Sequence, residues 1–384
     1  MKIRTLGVAL AVVLAGPLTV AAGTPALPPL QVTPDGRSFT AGGEPFLWLA
    51  DSAAGLLSAD DPAEVAHYLD VRAAQGFTVV RAPAPEGVDW TRVDAAVDGA
   101  AQRGLRLAIT PASPRPGLGE FLGARYGDRV VWVLGDGTGH DGGPWSAVAS
   151  GIAAAAGDDP LMTFTPAPGR ASGDTVGDAP WLSFALVRSG LCQGLLTRVV
   201  DAHRPFLDAR PAHEDGCAGP TDALGVRRAA YADVFSGAAG HTYGHPGAWA
   251  EDADVRAAAL RDEGATQLVH LRALTDSRSA RTPAPELLTE GDAGVLRGPD
   301  HLLAHAPAAD GFALDTTALP GDELRAWWFD PRTGEPVDAG TVPRSPSTAF
   351  FPPVTGPADA DQDWVLVVDA VDGAAVPLAP PGSP

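Results

Sequence analysis

Short apolar runs alternate with amphipathic segments along most of this chain, and this alternation limits the fold more than any other feature. Eight runs rich in β-branched and large apolar residues predict strands, and a helical pattern follows nearly every one. The predicted strands cover residues 45–50, 77–82, 105–110, 130–135, 161–165, 181–186, 205–208 and 238–243. Eight such units predict an α/β fold, a (β/α)₈ TIM barrel. A doubly wound open sheet is the alternative, and the lack of GxGxxG after the first strand disfavours it.

Helix boundaries follow from proline, aspartate and glycine signals between the strands. Asp89 is a predicted N-cap, and Gly76 and Gly104 are predicted stops. The predicted helices cover residues 61–75, 90–103, 120–126, 144–156, 194–202, 222–236 and 252–274.

After residue 285 the pattern changes to short alternating runs separated by Pro, Gly and Asp. This spacing predicts a small all-β sandwich domain. Trp327 and Trp328 are adjacent, so in a strand they point to opposite faces. We expect one in the core of the sandwich and the other packed on the barrel.

The N-terminus indicates a secretory leader. Lys2 and Arg4 precede an apolar run over residues 6–22, which Gly16 and Pro17 interrupt and which is shorter than the ~20 apolar residues of a membrane span. We therefore expect a secreted, extracellular protein with no membrane segment after cleavage. The expected organisation is a signal peptide at 1–22, an extended lead-in at 23–40, the barrel at 41–285 and the sandwich at 286–384.

The net charge limits the classes of binding partner, and the cysteines bear on a disulfide and on metal binding. The formal net charge of −20 argues against nucleic acid and anionic membranes, whereas sugars remain compatible. The chain has two cysteines, Cys192 and Cys217, which follow predicted strands six and seven. In an oxidising compartment they predict one disulfide across neighbouring loops. Without CxxC or paired Cys/His spacing, no metal site is expected, and no cofactor is implied.

Asp136 is the first candidate for chemistry. It ends the stretch VVWVLGD (130–136), and catalytic groups of a barrel lie at the C-terminal ends of strands. The alternative is a carboxylate that caps the following loop or pairs with an arginine. No G-x-S-x-G occurs, so an α/β-hydrolase has little support.

Several stretches together resemble the apiosidase-like glycoside hydrolases. They are EPFLWLADS (44–52), LDVRAAQGFTVVRA (69–82), ARYGDRVVWVLGD (124–136), RRAAYADVFSGAAGHTYG (227–244), LLTEGD (287–292), AWWFDPRTGEP (326–336) and DWVLVVD (363–369). The resemblance covers nearly the whole mature chain. It implies a (β/α)₈ barrel, a C-terminal β-sandwich that carries a collagen-binding label, and removal of apiose from pectin side chains. It also implies two catalytic carboxylates, one acid/base and one nucleophile.

The family's catalytic motifs are only partly matched. The family pattern WxLGGD places the acid/base after strand four, where this chain has WVLGDG and Asp136. The pattern DGEPxYE places the nucleophile after strand seven, where this chain has Arg210, and Glu214 matches the second Glu of that motif. Glu214 is thus a weak candidate for a displaced nucleophile. An arginine cannot serve as a glycosidase nucleophile, because it is always cationic and has no oxygen.

Other positions suggest a sugar site at the barrel mouth. Asp51, His241, Tyr243 and Trp249 match the family and, with Arg210, are predicted substrate-binding residues; scaffold roles are the alternative for each. The predicted ligand is a plant or microbial cell-wall polysaccharide or oligosaccharide. Two functions remain open, a glycosidase with a rearranged carboxylate pair and a non-catalytic carbohydrate-binding or scaffold protein. The sequence does not indicate an oligomeric state.

Overall fold

A computed structural model describes most of the chain. The described residues are 26–135, 137–138, 142–157, 159–188, 204–209, 213–216, 221–278, 281–354 and 362–371. Several predictions fall outside them, among them the signal peptide at 1–22 and the roles of Asp136, Arg210, Cys192 and Cys217. They stay predictions. None of the described helices is long and apolar enough to cross a membrane.

Eight parallel strands form the wall of a barrel. They are β1 Trp48–Ser52, β2 Val79–Ala84, β3 Arg106–Pro111, β4 Val130–Leu134, β5 Met162–Phe164, β6 Ala185–Val187, β7 Phe206–Asp208 and β8 Gly240–Tyr243. One ladder runs β8-β1-β2-β3-β4-β5, and a second joins β6 to β7. Backbone hydrogen bonds bridge the two gaps between these ladders. The Ser183 amide donates to the Met162 carbonyl of β5 (2.9 Å), and the Ala239 amide before β8 donates to the Phe206 carbonyl of β7 (2.9 Å). The pairing of the first strand with the last confirms the predicted TIM barrel.

Helices lie outside this wall. They are α1 Pro62–Ala74, α2 Trp90–Gln102, α3 Leu118–Tyr126, α4 Gly142–Ala156, α5 Gly173–Val176, α6 Ala223–Phe235, α7 Ala253–Ala259 and α8 Glu263–Ser277. The predicted cap of α2 is confirmed, since Asp89 accepts a hydrogen bond from the Thr91 amide (2.9 Å). The predicted helix at 194–202 lies outside the described residues.

The prediction of one continuous helix over 252–274 is wrong. The segment forms α7 and α8, with a break at residues 260–262. Tertiary contacts satisfy the backbone groups that the break exposes. Gln75 donates to the carbonyl of Leu260 (2.8 Å), and Glu214 accepts from the amide of Gly264 (2.9 Å).

The lead-in is more ordered than predicted. A three-stranded antiparallel sheet of Leu30–Val32, Phe39–Ala41 and Glu44–Phe46 precedes β1. Phe39 is buried against the rings of Trp48 (5.9 Å) and Phe184 (5.3 Å), so this sheet closes the N-terminal end of the barrel.

The strands separate two apolar cores. Trp48 and Ala50 of β1 lie in the cluster that fills the barrel, whereas Leu49 lies in the cluster between strands and helices. This alternation continues around the barrel, with Val131 and Val133 inside and Trp132 outside. Successive residues of a strand therefore face the lumen and the helices in turn.

A β-sandwich follows the barrel. Its strands are β9 Thr282–Pro283, β10 Leu288–Glu290, β11 Gly294–Arg297, β12 His301–Ala306, β13 Phe312–Leu314, β14 Glu323–Phe329, β15 Pro336–Val342, β16 Thr348–Phe350 and β17 Trp364–Val371. The sheets have the orders β9-β11-β12-β17-β14-β15 and β10-β13-β16. Trp328 is buried in the sandwich core and Trp327 packs on the cluster of the barrel, which confirms the prediction for this pair.

The sandwich shares buried surface with the barrel. Leu303, Phe329, Val365 and Val367 belong to the same apolar cluster as residues of α6 and α8. Two buried ion pairs cross the interface: Arg227 to Asp363 (2.7 Å) and Arg278 to Asp369 (2.8 Å).

His301 is expected to make the stability of the folded chain depend on pH. Its side chain is buried beside Asp300, with 2.9 Å between Nδ1 and Oδ1. Burial lowers the pKa of His301 below 6.5, and the charge of Arg278 lowers it further. The carboxylates of Asp300 and Asp369 oppose this shift. The unfolded chain takes up a proton there as pH falls below about 6.5, whereas the folded chain resists it. We therefore expect His301 to lower the free energy of unfolding as pH falls from about 7.5 to 5.5.

Urea unfolding of wild type and His301→Gln at both pH values measures this contribution. The difference between the two proteins should change with pH. The exposed His67→Gln variant is the control. An identical difference at both pH values would contradict the assignment.

Candidate functional site

Asp51 at the end of β1 faces the helices and not the lumen. Its carboxylate is 1% exposed and lies 2.5 Å from Nε of Arg72 in α1. Tyr68 donates a hydrogen bond to the same oxygen. The guanidinium carbon of Arg72 is 5.4 Å from the ring centroids of Tyr68, Phe77 and Tyr243. The predicted sugar contact through Asp51 is not supported, because this enclosed position is inaccessible to a ligand at the mouth.

Tyr243 and Glu214 form a second buried contact behind the wall. The Tyr243 hydroxyl donates to Oε2 of Glu214 (2.7 Å), and the Gly264 amide in the first turn of α8 donates to Oε1 (2.9 Å). Burial first, and then the Glu214 carboxylate, raise the pKa of Tyr243. Glu214 thus caps α8 with both oxygens in use. It cannot be the displaced nucleophile, since neither oxygen faces the lumen, and Tyr243 is likewise enclosed.

Replacing Glu214 with glutamine separates a cap from a nucleophile. Loss of the negative charge at the helix N-terminus should lower the free energy of unfolding by about 1 kcal/mol. Differential scanning calorimetry should show a lower Tm for Glu214→Gln. Asp252→Asn is the comparison variant, because it removes the charge from the N-cap of α7, which is exposed to water. An unchanged Tm combined with a loss of sugar release would contradict the capping role.

His241 is also on the helix side of β8. Its Nδ1 lies 2.7 Å from Oδ2 of Asp233 in α6, and both side chains are at most 1% exposed. Burial lowers the pKa of His241 to about 4 and raises that of Asp233. A buried polar pair whose members are hydrogen-bonded to each other is a scaffold arrangement. It does not place an imidazole at the mouth.

Trp249 lies at the rim, outside the lumen. Its ring is 4.8 Å from that of Tyr68, and a Cβ on Gly55 would come within 2.6 Å of its Cε3 atom. The turn after β1 and helix α1 thus both pack on this half-buried indole. Packing of this kind supports the scaffold alternative more than the predicted sugar platform.

The lumen at the strand ends contains a guanidinium that the sequence reasoning missed. Arg81 of β2 donates from Nη1 to the carbonyl of Ala209 after β7 (3.0 Å) and from Nη2 to Oγ1 of Thr165 after β5 (3.0 Å). These partners lie on other parts of the wall, so the side chain extends into the lumen. The available signal was an arginine inside the apolar strand FTVVRA (77–82).

A second guanidinium borders the same space. Arg188 after β6 donates from Nη1 to the carbonyl of Gly137 (2.5 Å), the residue that follows Asp136. The ring of His213 packs on Gly244 after β8, where a Cβ would lie 2.7 Å from its Cε1 atom. The described mouth thus brings together Arg81 and Arg188, because Gly137 lies beside both Arg188 and the Arg81 partner Thr165. Asp51 and Glu214, the two described acids predicted for it, lie behind the wall.

No group of three or more His, Cys, Asp or Glu side chains in the described part of the chain could hold a metal ion.

Comparisons with known proteins agree with this architecture. A family model described as apiosidase-like, catalytic domain, matches residues 33–89 and 85–282. A second model, for a collagen-binding domain of a collagenase, matches residues 291–369. A search of curated proteins gave no match.

Two solved structures cover almost the whole fold. A glycoside hydrolase is 23% identical, with a TM-score of 0.77, over 89% of this chain and 97% of its own. A glycoside hydrolase family 5 protein from Bacteroides vulgatus ATCC 8482 is 23% identical, with a TM-score of 0.78, over 92% of this chain and 97% of its own. At this identity the likeness establishes the fold.

Proposed function

Because this chain belongs to the apiosidase-like family, we propose that it is a secreted glycosidase-like protein that binds cell-wall polysaccharide without hydrolysing it. The ligand enters the barrel mouth at the C-terminal ends of the strands, where barrel proteins hold their substrates. The leader at 1–22 directs the protein out of the cell.

The position of the Arg81 guanidinium is the observation that carries this proposal. A retaining glycosidase needs two carboxylates roughly 5 Å apart on either side of the glycosidic bond, and an inverting one needs them roughly 6.5–9.5 Å apart. Arg81 instead extends a permanent cation to the ends of β5 and β7. Arg210 stands in the sequence where the family has its nucleophile. A nucleophile that follows the family pattern is therefore missing.

The basic mouth can still recognise sugars. A guanidinium presents several N–H donors in a fixed plane and binds hydroxyl or carboxylate oxygens in pairs. Thr165 adds a hydroxyl beside Arg81, and Arg188 adds a second guanidinium next to the Gly137 carbonyl. The mouth therefore presents polar side chains to a polyhydroxylated ligand, and a pectic chain with carboxylates is the ligand class that we propose.

Asp136 supports one alternative function. It follows β4 at the stretch where the family has its acid/base, so a hydrolase that pairs Asp136 with a different second acid is the competing proposal.

A polysaccharide panel distinguishes the two. Wild type is incubated with de-esterified pectin, methyl-esterified pectin, arabinan, xylan and chitin, and both binding and released reducing sugar are measured. We expect binding without release, and weaker binding by Arg188→Gln. Arg92→Gln, an exposed arginine of α2, is the matched control and should bind as wild type does. Release that Asp136→Asn abolishes would overturn the proposal in favour of the hydrolase.

A further inference from the structure

A second cavity lies at the opposite end of the barrel from the mouth. Its volume is about 380 Å³, within the range of pockets that hold small ligands. Residues just before β1 and β8 and the first residue of β7, Leu47, Ala239 and Phe206, form part of its wall. The N-terminal sheet, the ends of α6 and α8 and the first strands of the sandwich form most of the rest. Ligand binding there is separate from the function proposed for the mouth.

The floor of this cavity is apolar. Pro45, Phe46 and Pro283 line it with accessible apolar side chains, whereas Phe39, Phe206 and Leu296 line it at no more than 3% exposure. Such a floor favours a ring or a short hydrocarbon over a sugar, because burial of apolar surface is the main source of affinity there.

The rim carries an excess of positive charge. Three arginines, Arg37, Arg204 and Arg281, line the cavity with two carboxylates, Asp35 and Asp276. Arg204 has a partner outside the lining, Asp178 (3.4 Å between Nη1 and Oδ1), and both lining carboxylates have partners as well. Asp35 accepts from the Thr33 hydroxyl (2.5 Å) and the Arg37 amide (3.2 Å), and Asp276 lies 3.4 Å from Nε of Arg272.

Arg281 is held in place at this rim. Its Nη1 donates to the carbonyls of Thr275 (3.0 Å) and Arg278 (3.2 Å) in the last turn of α8 and just after it. Burial lowers the pKa of Arg281 to about 10, and Asp276 opposes this shift only in part. A fixed cation that loses hydration in this way gains from an additional anion nearby.

We propose that this cavity binds a small aromatic carboxylate, with its ring against Phe46 and Pro283 and its carboxylate at the rim beside Arg281 and Arg37. The charge excess selects a carboxylate over a neutral or cationic head group. The volume selects a single-ring acid.

Titration calorimetry with the full chain tests the proposal. The probes are 3-phenylpropanoate and its neutral amide, which differ only in the head group. We expect the carboxylate to bind about tenfold more tightly, the effect of one charge-assisted hydrogen bond. Equal affinity, or no binding of either probe, would overturn the proposal.

Three variants locate the site. Arg37→Gln removes an exposed rim cation and should weaken binding of the carboxylate but not of the amide. Thr282→Trp places a large ring at the exposed rim and should block both probes. Arg188→Gln alters the mouth and should leave both affinities unchanged. Unchanged Tm values show that each variant is folded. If Arg37→Gln and Thr282→Trp both bind as wild type does, the ligand is elsewhere and the proposal fails.

Discussion

Replacing Arg72 with methionine is expected to lower the free energy of unfolding by about 3–5 kcal/mol, as is typical when one partner of a buried ion pair is removed. Arg72 is fully buried, and Asp51 is its charged partner at 2.5 Å. Methionine would fill much of the space but would leave the Asp51 carboxylate enclosed without a counter-charge. The three aromatic rings around the guanidinium would lose their cation as well.

A double-mutant cycle separates the charge from the packing. Chemical unfolding of Arg72→Met, Asp51→Asn and the double variant gives the coupling energy, and the double variant should recover part of the loss. Arg92→Met is the control, because Arg92 and its partner Asp60 are exposed and their pair should contribute little. A loss for Arg72→Met no greater than that of the control would show that the buried pair does not stabilise the barrel.

Replacing Asp363 with asparagine is expected to loosen the sandwich from the barrel. Oδ1 of Asp363 accepts from Nη2 (2.7 Å) and Nε (3.1 Å) of Arg227 in α6, and His305 lies 3.5 Å from Oδ2. Burial alone would raise the pKa of Asp363, but the hydrogen bond with His305 and the charge of Arg227 lower it overall. Without the carboxylate, Arg227 remains buried and uncompensated, so a loss of about 3–5 kcal/mol is expected.

Differential scanning calorimetry should show whether the sandwich or the barrel loses stability. Asp363→Asn should separate a transition of the sandwich from that of the barrel, or widen a shared one. Asp338→Asn is the control in the same domain, since Asp338 pairs with Arg325 at the surface. A single transition with the wild-type Tm would contradict a role of the pair in holding the domains together.

The barrel was predictable because its strands and turns follow local rules. Short apolar runs located all eight strands to within a few residues, and Asp89 capped its helix as expected. The break between α7 and α8 was not predictable in this way. The bonds that stabilise it come from Gln75 and Glu214, which are distant in sequence.

The site was less predictable, for a reason specific to parallel barrels. Both faces of such a strand are buried, so an apolar run does not reveal which face is the lumen. In β1, Trp48 and Leu49 are equally apolar, yet one fills the barrel and the other packs on the helices. Asp51 faces the helices, as Leu49 does, and therefore does not contribute to the site in the lumen. Arg81 was the better signal, because a lone cation in a buried strand needs partners across the lumen.

The opposed indoles of Trp327 and Trp328 tie β14 to two cores at once. A single-residue insertion or deletion in this strand would exchange the two rings and every side chain beyond them between the faces. Length changes during evolution should therefore collect in the loops around the strand. The sandwich is also a poor unit for transplantation, because in isolation it would expose Trp327 together with Leu303, Val365 and Val367.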